Sequence, residues 1–364
     1  MRFTALLPFL LGFSVVCSAQ VRTSDLTQVE DPRGEVELTV CTQNLENYGV
    51  LPSVQRRVKN ATREDIIDKE AALIKRFMTA KCDVIAVQEV IGKNEAEVRT
   101  VLAHLALLLQ RRTNRFFDVR PGTSIDGVIN VGVLVAKDRA DILNTLSYSR
   151  VELPKLITKQ RPRFFARGPL EVQLDVKAVG ERIRKTVTLV IFHLKSRAGG
   201  ARDPTGLEWE TYRMEEAEAL RRIIDNRHAK SFGSGEGIFI ALGDRNSHFD
   251  TASSAILEGV LTLKAFQGKA PCRLSKRGIP LCLKGTSLPE RLFSALITDP
   301  QASKLPGTFQ LNGVFSWIDD ILMPAESLRF ALATFDNNGD YNSGVVYEPR
   351  EASDHSMAYV KLNW

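Results

Sequence analysis

Short apolar runs recur along this chain, and each ends in a cluster of polar residues able to do chemistry. Asp83-Val84-Ile85-Ala86-Val87 runs into Gln88-Glu89, and Leu189-Val190-Ile191-Phe192 into His193-Leu194-Lys195-Ser196-Arg197. Ile238-Phe239-Ile240-Ala241-Leu242 runs into Gly243-Asp244-Arg245-Asn246. Runs this short, bounded by turn residues, read as buried strands. Three more groups follow the pattern. Gln43-Asn44-Leu45-Glu46-Asn47 follows a strand at Glu35 to Cys41, Asp319-Asp320 lies inside Trp317 to Met323, and Ser353-Asp354-His355 precedes Met357 to Leu362. Loops at strand ends are where a rigid scaffold presents functional groups.

The spacing predicts further strands at Phe116 to Val119, Val128 to Val135, Leu170 to Val176 and Thr186 to Phe192. Helical periodicity is clear over Arg63 to Met78, where Ile66, Ile67, Ala71, Leu73, Ile74 and Phe77 share one face. Glu95 to Gln110 is a second helix, and Leu207 to Arg227 is a long one rich in Glu and Arg. So many strands exceed what one doubly wound sheet uses. Two mixed sheets facing each other with helices outside, an α/β (α+β) arrangement, account for the pattern. Residues 265–312 look like a loop-rich insertion, and the rest of 35–364 reads as one domain.

The N-terminus stands apart. Arg2, an apolar run from Leu6 to Val16, and small residues at Ser18 and Ala19 make residues 1–19 a secretory signal peptide. That run is shorter than the ~20 residues of a spanning helix, so a periplasmic or extracellular location is expected. Residues 20–34 are polar and form a flexible lead-in. Export makes disulfides possible. Cys272 and Cys282 bracket a loop with Gly278 and Pro280, which suits a local bridge, whereas Cys41 and Cys82 adjoin expected strands and read as buried free thiols. The 44% hydrophobic content suits a globular fold, and the net charge of +6 favours a polyanionic partner.

Singly, each polar group is weak. A carboxylate after a strand is more often a cap or turn residue, and a lone histidine is more often structural. Six such groups in order are not. The set resembles the endonuclease/exonuclease/phosphatase superfamily, and the resemblance rests on Asn44-Leu45-Glu46-Asn47, Gln88-Glu89, Gly243-Asp244-Arg245-Asn246 and Ser353-Asp354-His355. His193-Leu194-Lys195-Ser196-Arg197 followed by Arg213-Met214-Glu215-Glu216-Ala217 resembles a bacterial exported branch. The resemblance implies a four-layer sandwich, with two mixed β-sheets packed face to face and helices on both outer sides.

It also implies hydrolysis of a phosphate ester by activated water, with Mg²⁺ as cofactor and Mn²⁺ or Ca²⁺ as substitutes. Glu89 is implied as the central metal ligand, with Asn44 and Asp354 beside it and Glu46 as a further contact. Asp244 is implied to orient and deprotonate the water, helped by Asn246. His355 is implied to act on the phosphate with Asp319 holding its ring, and His193 to donate to a phosphate oxygen. Arg167, favoured over Arg163, joins Lys195 and Arg197 as expected phosphate-binding cations. Asp320 departs from the family's aromatic residue; strand alternation turns it to the opposite face from Asp319, as a supporting or metal residue or an outward charge. His104 and His228 read as structural or exposed, and His248 as a bystander near the cleft. The expected substrate is DNA or RNA, with a lipid headgroup or small phosphate ester as the alternative enzyme reading. A non-catalytic binding protein ranks below both, because Glu89, Asp244 and His355 are all present. A monomer is expected.

Overall fold

The computed structural model describes residues 38–125, 127–156, 161–177, 184–197, 209–232, 234–235, 237–263, 291–332 and 342–364. In chain order the first half holds β1 (Leu38–Tyr48), α1 (Leu51–Val54), α2 (Arg63–Thr79), β2 (Val84–Ile91), α3 (Glu95–Thr113), β3 (Phe117–Pro121), β4 (Ile129–Ala136), β5 (Ala140–Ser147) and β6 (Leu170–Val176). Then come β7 (Lys185–His193), α4 (Glu210–Arg227), α5 (Ala229–Phe232), β8 (Gly237–Asp244), α6 (Ala252–Leu257), β9 (Leu292–Ser294) and α7 (Ala295–Thr298). The last elements are β10 (Phe309–Leu311), β11 (Val314–Ser316), β12 (Asp319–Pro324), α8 (Ala325–Leu332), β13 (Ser343–Val346) and β14 (Met357–Leu362).

Two six-stranded sheets result, ordered β13-β14-β1-β2-β4-β3 and β5-β6-β7-β8-β12-β9, with β10 and β11 as a separate hairpin. Both sheets are mixed: β1 runs parallel to β2 and β7 parallel to β8, while their other neighbours pair antiparallel. Alternation along the strands builds the layers. Val40, Val84, Ala86 and Val133 of the first sheet share a core with Val172, Leu189, Ile240 and Leu242 of the second. The opposite face of the first sheet presents Ile85, Val87 and Leu134 to Leu73 and Phe77 of α2 and Leu102 and Leu105 of α3. Val190, Phe192, Phe239 and Ala241 turn outward from the second sheet to Leu220, Ile223 and Ile224 of α4. The order is therefore helix, sheet, sheet, helix, the expected sandwich. Among the described residues no helix is long and apolar enough to cross a membrane.

Helix ends follow local chemistry. Thr62 and Asp65 form a capping box at the start of α2, and Asn94 caps α3 through its side chain.

One expectation needs correction. Cys41 and Cys82 form a disulfide, with their Cα atoms 5.9 Å apart. Cys41 lies on β1 and Cys82 just ahead of β2, and parallel pairing of those strands brings the two together. Of the expected loop-rich insertion at 265–312, residues 265–290 lie outside the described residues. Its described portion from residue 291 supplies β9, α7 and β10, and β9 pairs with β12 as a sheet edge. Strands of three residues show no readable periodicity. The Cys272–Cys282 bridge, the signal peptide and the lead-in lie outside the described residues.

The disulfide spans 41 residues of chain, and closing such a loop stabilises a fold by roughly 2–4 kcal/mol. The double variant Cys41→Ser/Cys82→Ser is expected to lose about that much unfolding free energy in urea titration; an unchanged midpoint would contradict it. Gly243 is a second lever. Its φ is +143°, and an added Cβ would fall on the Phe192 carbonyl of the neighbouring strand. Gly243→Ala should destabilise by at least about 2 kcal/mol, measured in the same way.

Candidate active site

Strand register assembles the site. The C-terminal ends of the parallel pairs β1–β2 and β7–β8 hold the polar clusters, the edge at which open sheets bind ligands. His193 is the register partner of Asp244 across β7 and β8, and Asp244 is the register partner of Asp319 across β8 and β12. Asn44 pairs with Gln88 across β1 and β2. His355 enters from the segment before β14, whose Ala358 pairs with Thr42 of β1. Residues far apart in the sequence thereby share one buried space.

Asp244 is its centre and is fully buried. Its carboxylate accepts from Asn44 Nδ2 at 3.0 Å, Asn246 Nδ2 at 3.0 Å and the Asn246 backbone N–H at 2.6 Å. Burial, then the nearby Asp319 and Glu89, push its carboxyl up to about 7, against the pull of His355 and the Asn246 amide. His355 donates from Nδ1 to Asp319 Oδ2 at 2.8 Å, and its Nε2 lies 4.0 Å from Asp244 and 3.9 Å from Asp354. Burial disfavours a charged ring here, but the carboxylates of Asp319, Asp244 and Asp354 outweigh it and raise His355 to about 10. The neighbouring Phe309 ring packs at 4.8 Å.

His193 differs. It is buried, with Nε2 3.4 Å from Asp244 and 3.9 Å from Glu89. Neither ring nitrogen has hydrogen-bond geometry to a partner among the described residues. Burial, then the charges of Arg167, His355 and Lys195, hold its pKa well below the usual histidine value, so the ring is neutral. A buried polar group left uncompensated is costly, and a phosphate oxygen or a cation would satisfy it.

Glu89 sits where β2 bulges against β4, with a left-handed φ of +59°. Such backbone is rare for a residue with a side chain and concentrates at functional sites. The bulge re-aims the carboxylate, and the Asn47 N–H donates to Oε2 at 3.1 Å. Glu46, Asn47 and Asn246 share the left-handed conformation. Asn44 Oδ1 accepts from the Glu46 N–H at 2.9 Å, and Glu46 pairs with Lys69 at 2.9 Å. Burial, then Glu46 and Glu89, raise the carboxyl of Asp354, while His355 opposes the rise. This oxygen-rich, mutually repelling set fits a hard divalent cation. Asp244, Asp319 and His355 also offer ligand atoms within 4.8 Å of one another, a spacing that could hold a metal ion.

The expected cations flank this centre. Arg167 is buried and donates to the Leu194 carbonyl at 3.2 Å, which also accepts from Asn246 Nδ2 at 3.1 Å. The Lys195 ammonium stands 4.5 Å from the Trp209 ring centre. Arg197 is partly buried, and burial with the nearby Arg213 lowers its pKa. Arg163 turns away to pair with Glu215 at 3.2 Å. Asp320 is not an outward charge: it is buried, 3.2 Å from Arg245, and accepts from Ser294. His104 bonds Glu70, His228 bonds Glu171 and His248 bonds Asp250, all outside the cluster.

The residue reading missed Arg76 and Gln43. Arg76 Nη1 donates to the His355 carbonyl at 2.5 Å and to Gln43 Oε1 at 3.0 Å, and Gln43 Nε2 reaches the same carbonyl at 3.1 Å. The signal was available, since Arg76 interrupts the apolar face made by Leu73 and Phe77 on α2. A cleft of about 270 Å³ beside Asp354 is lined by Arg76, Arg350, Gln310, Phe315 and Tyr347.

No protein-family model matches this sequence, and no curated protein matches it. Among solved structures, an endonuclease/exonuclease/phosphatase family protein from Bacteroides thetaiotaomicron is similar at 15% identity and a TM-score of 0.50, over 90% of this chain and 97% of that one. The human Nocturnin catalytic domain is similar at 14% identity and a TM-score of 0.49, over 89% of this chain and 93% of that one. A Bacteroides thetaiotaomicron mannosyl-6-phosphatase aligns at 15% identity and a TM-score of 0.48, over 90% of this chain and all 100% of that one. With two mixed sheets between helical layers, and by its likeness to the first of these structures, the chain has the endonuclease/exonuclease/phosphatase fold.

Proposed function

We propose that this chain is an exported, monomeric, metal-dependent phosphoesterase that hydrolyses nucleic-acid phosphodiesters. The observation that carries the reading is the convergence of Asp244, His193, Asp319–His355 and Glu89 in one buried space at the strand ends. Glu89 and Asp354 would hold Mg²⁺, with the Asn44 oxygen beside them; Mn²⁺ or Ca²⁺ would suit the same oxygen donors. The cation would supply charge neutralisation of the phosphate and polarisation of its oxygens. Asp244, Asp319 and His355 form an alternative donor trio, with ligand atoms within 4.8 Å of one another.

Asp244, with its proton affinity raised to about 7, suits a general base near neutral pH. Asn44 and Asn246 aim it. His355, kept charged by Asp319, stabilises negative charge developing on the phosphate and supplies a proton to the leaving oxygen. His193 donates one N–H to a phosphate oxygen. Arg167, Lys195 and Arg197 attract the polyanion, in keeping with the net charge of +6. The Cys41–Cys82 disulfide supports an oxidising, exported setting.

A lipid-headgroup or small-ester substrate is the second reading. It is favoured by Leu311 and Val314, exposed at 60% and 68% on the β10–β11 hairpin that adjoins His355.

Plasmid nicking should require Mg²⁺, stop with chelator, and fall at least ~10²-fold in His355→Ala. Equal rates in all three conditions would end the mechanism. On a panel of DNA, RNA, sphingomyelin and p-nitrophenyl phosphate esters, nucleic acid should be preferred, with rates falling steeply as salt rises. Salt-insensitive cleavage confined to the lipid would favour the second reading.

A further inference from the structure

Glu215 and Glu216 lie in the second turn of α4 and are both buried, where a helix facing a sheet would ordinarily place Leu or Ala. Neither enters the mechanism above. Glu216 accepts from two backbone amides in different loops: Oε1 takes the Ala166 N–H at 2.7 Å, and Oε2 takes the Lys195 N–H at 2.6 Å. Ala166 immediately precedes Arg167 on the way into β6, and Lys195 follows His193 on the way out of β7. Arg213, one turn earlier, donates to the Lys195 carbonyl at 3.2 Å. The Lys195 residue is thus gripped by α4 at both its N–H and its C=O. Arg167 donates across to the Leu194 carbonyl, which ties the two loops together. Glu215 holds the approach to the first loop, through the Leu156 N–H at 2.8 Å and Arg163 at 3.2 Å.

We infer that Glu216 is a positioning residue for substrate binding: its two oxygens staple the Arg167 and Lys195 loops together, so that both cations face the same phosphate. The inference rests on the function proposed above. A carboxylate is needed because two amides must each find an acceptor, and glutamine offers one. Its negative charge also attracts both Arg167 and Lys195. Burial pushes Glu216 up to about 7, while the two amides and two cations hold it down.

The test uses the full chain, Mg²⁺ and a defined DNA duplex. kcat and KM are measured across a NaCl series, with thermal unfolding alongside, for wild type, Glu216→Gln and Glu218→Gln. Glu218 is buried on the same helix and pairs with Arg222 instead. Glu216→Gln should raise KM about tenfold and leave kcat within about threefold. It should also flatten the slope of log KM against log salt by about one, the signature of one lost phosphate contact. Glu218→Gln should move neither KM nor the slope. An unchanged slope in Glu216→Gln, or the same KM rise in Glu218→Gln, would make the role merely structural and overturn the inference. Should Glu216→Gln not fold, Glu216→Asp, which keeps the charge but shortens the reach, carries the same expectations. A wild-type chain that cleaves no phosphate ester would overturn the function as well. An active wild type with an unaltered Glu216→Gln profile would overturn this inference alone.

Discussion

Charge balance inside one water-poor space governs this structure. Asp244 and Asp319 are fully buried against His355, with Glu89 close by. Carboxylates packed this closely cannot all ionise without compensation. The compensation is divided: His355 takes up a proton, and Asn44 and Asn246 donate to Asp244. The same space sets His193 apart, because burial first, and then the charges of Arg167, His355 and Lys195, hold its pKa well below the usual histidine value. Two histidines a few ångströms from one carboxylate thereby hold opposite charge states.

The scaffold tolerates this because its stability is generated elsewhere. The apolar faces of both sheets and three helices bury the bulk of the chain away from the site, and the disulfide ties β1 to the approach of β2. Four of the residues with left-handed backbone lie at the functional edge. Glu46, Asn47, Glu89 and Asn246 all hold left-handed conformations there, and a bulge in β2 swings Glu89 toward the cluster. Regular strands deliver the residues to the rim, and irregular backbone gives them their final aim.

Supporting residues follow a different logic from the residues they support. Arg76, Gln43 and Glu216 bind backbone groups, namely the His355 carbonyl and the amides of two cation-bearing loops. A side chain that serves a backbone atom leaves no complementary residue type elsewhere in the sequence. Glu216 therefore stood in the sequence only as part of a motif on a helix rich in Glu and Arg, and Arg76 drew no role although it interrupts the apolar face of α2. Asp320 was ambiguous for the same reason: alternation placed it on the far face, but only packing supplied Arg245 and Ser294 as its partners.

Local pattern alone determined most of the strands, the three long helices and the pairing of two sheets, because burial on alternating or helical faces is written in the order of apolar residues. It also determined the residue types at the strand ends, since Asp, Glu, His and Asn there conflict with their apolar surroundings. It did not determine β5, β9 or β13, whose edge positions leave them short or half polar. Only the tertiary structure joined Cys41 to Cys82 and matched His193 to Asp244 and Asp319 by register. Only it could set the charge of each histidine. Those outcomes depend on distance and dielectric surroundings between segments, and neither exists until the sheets have paired.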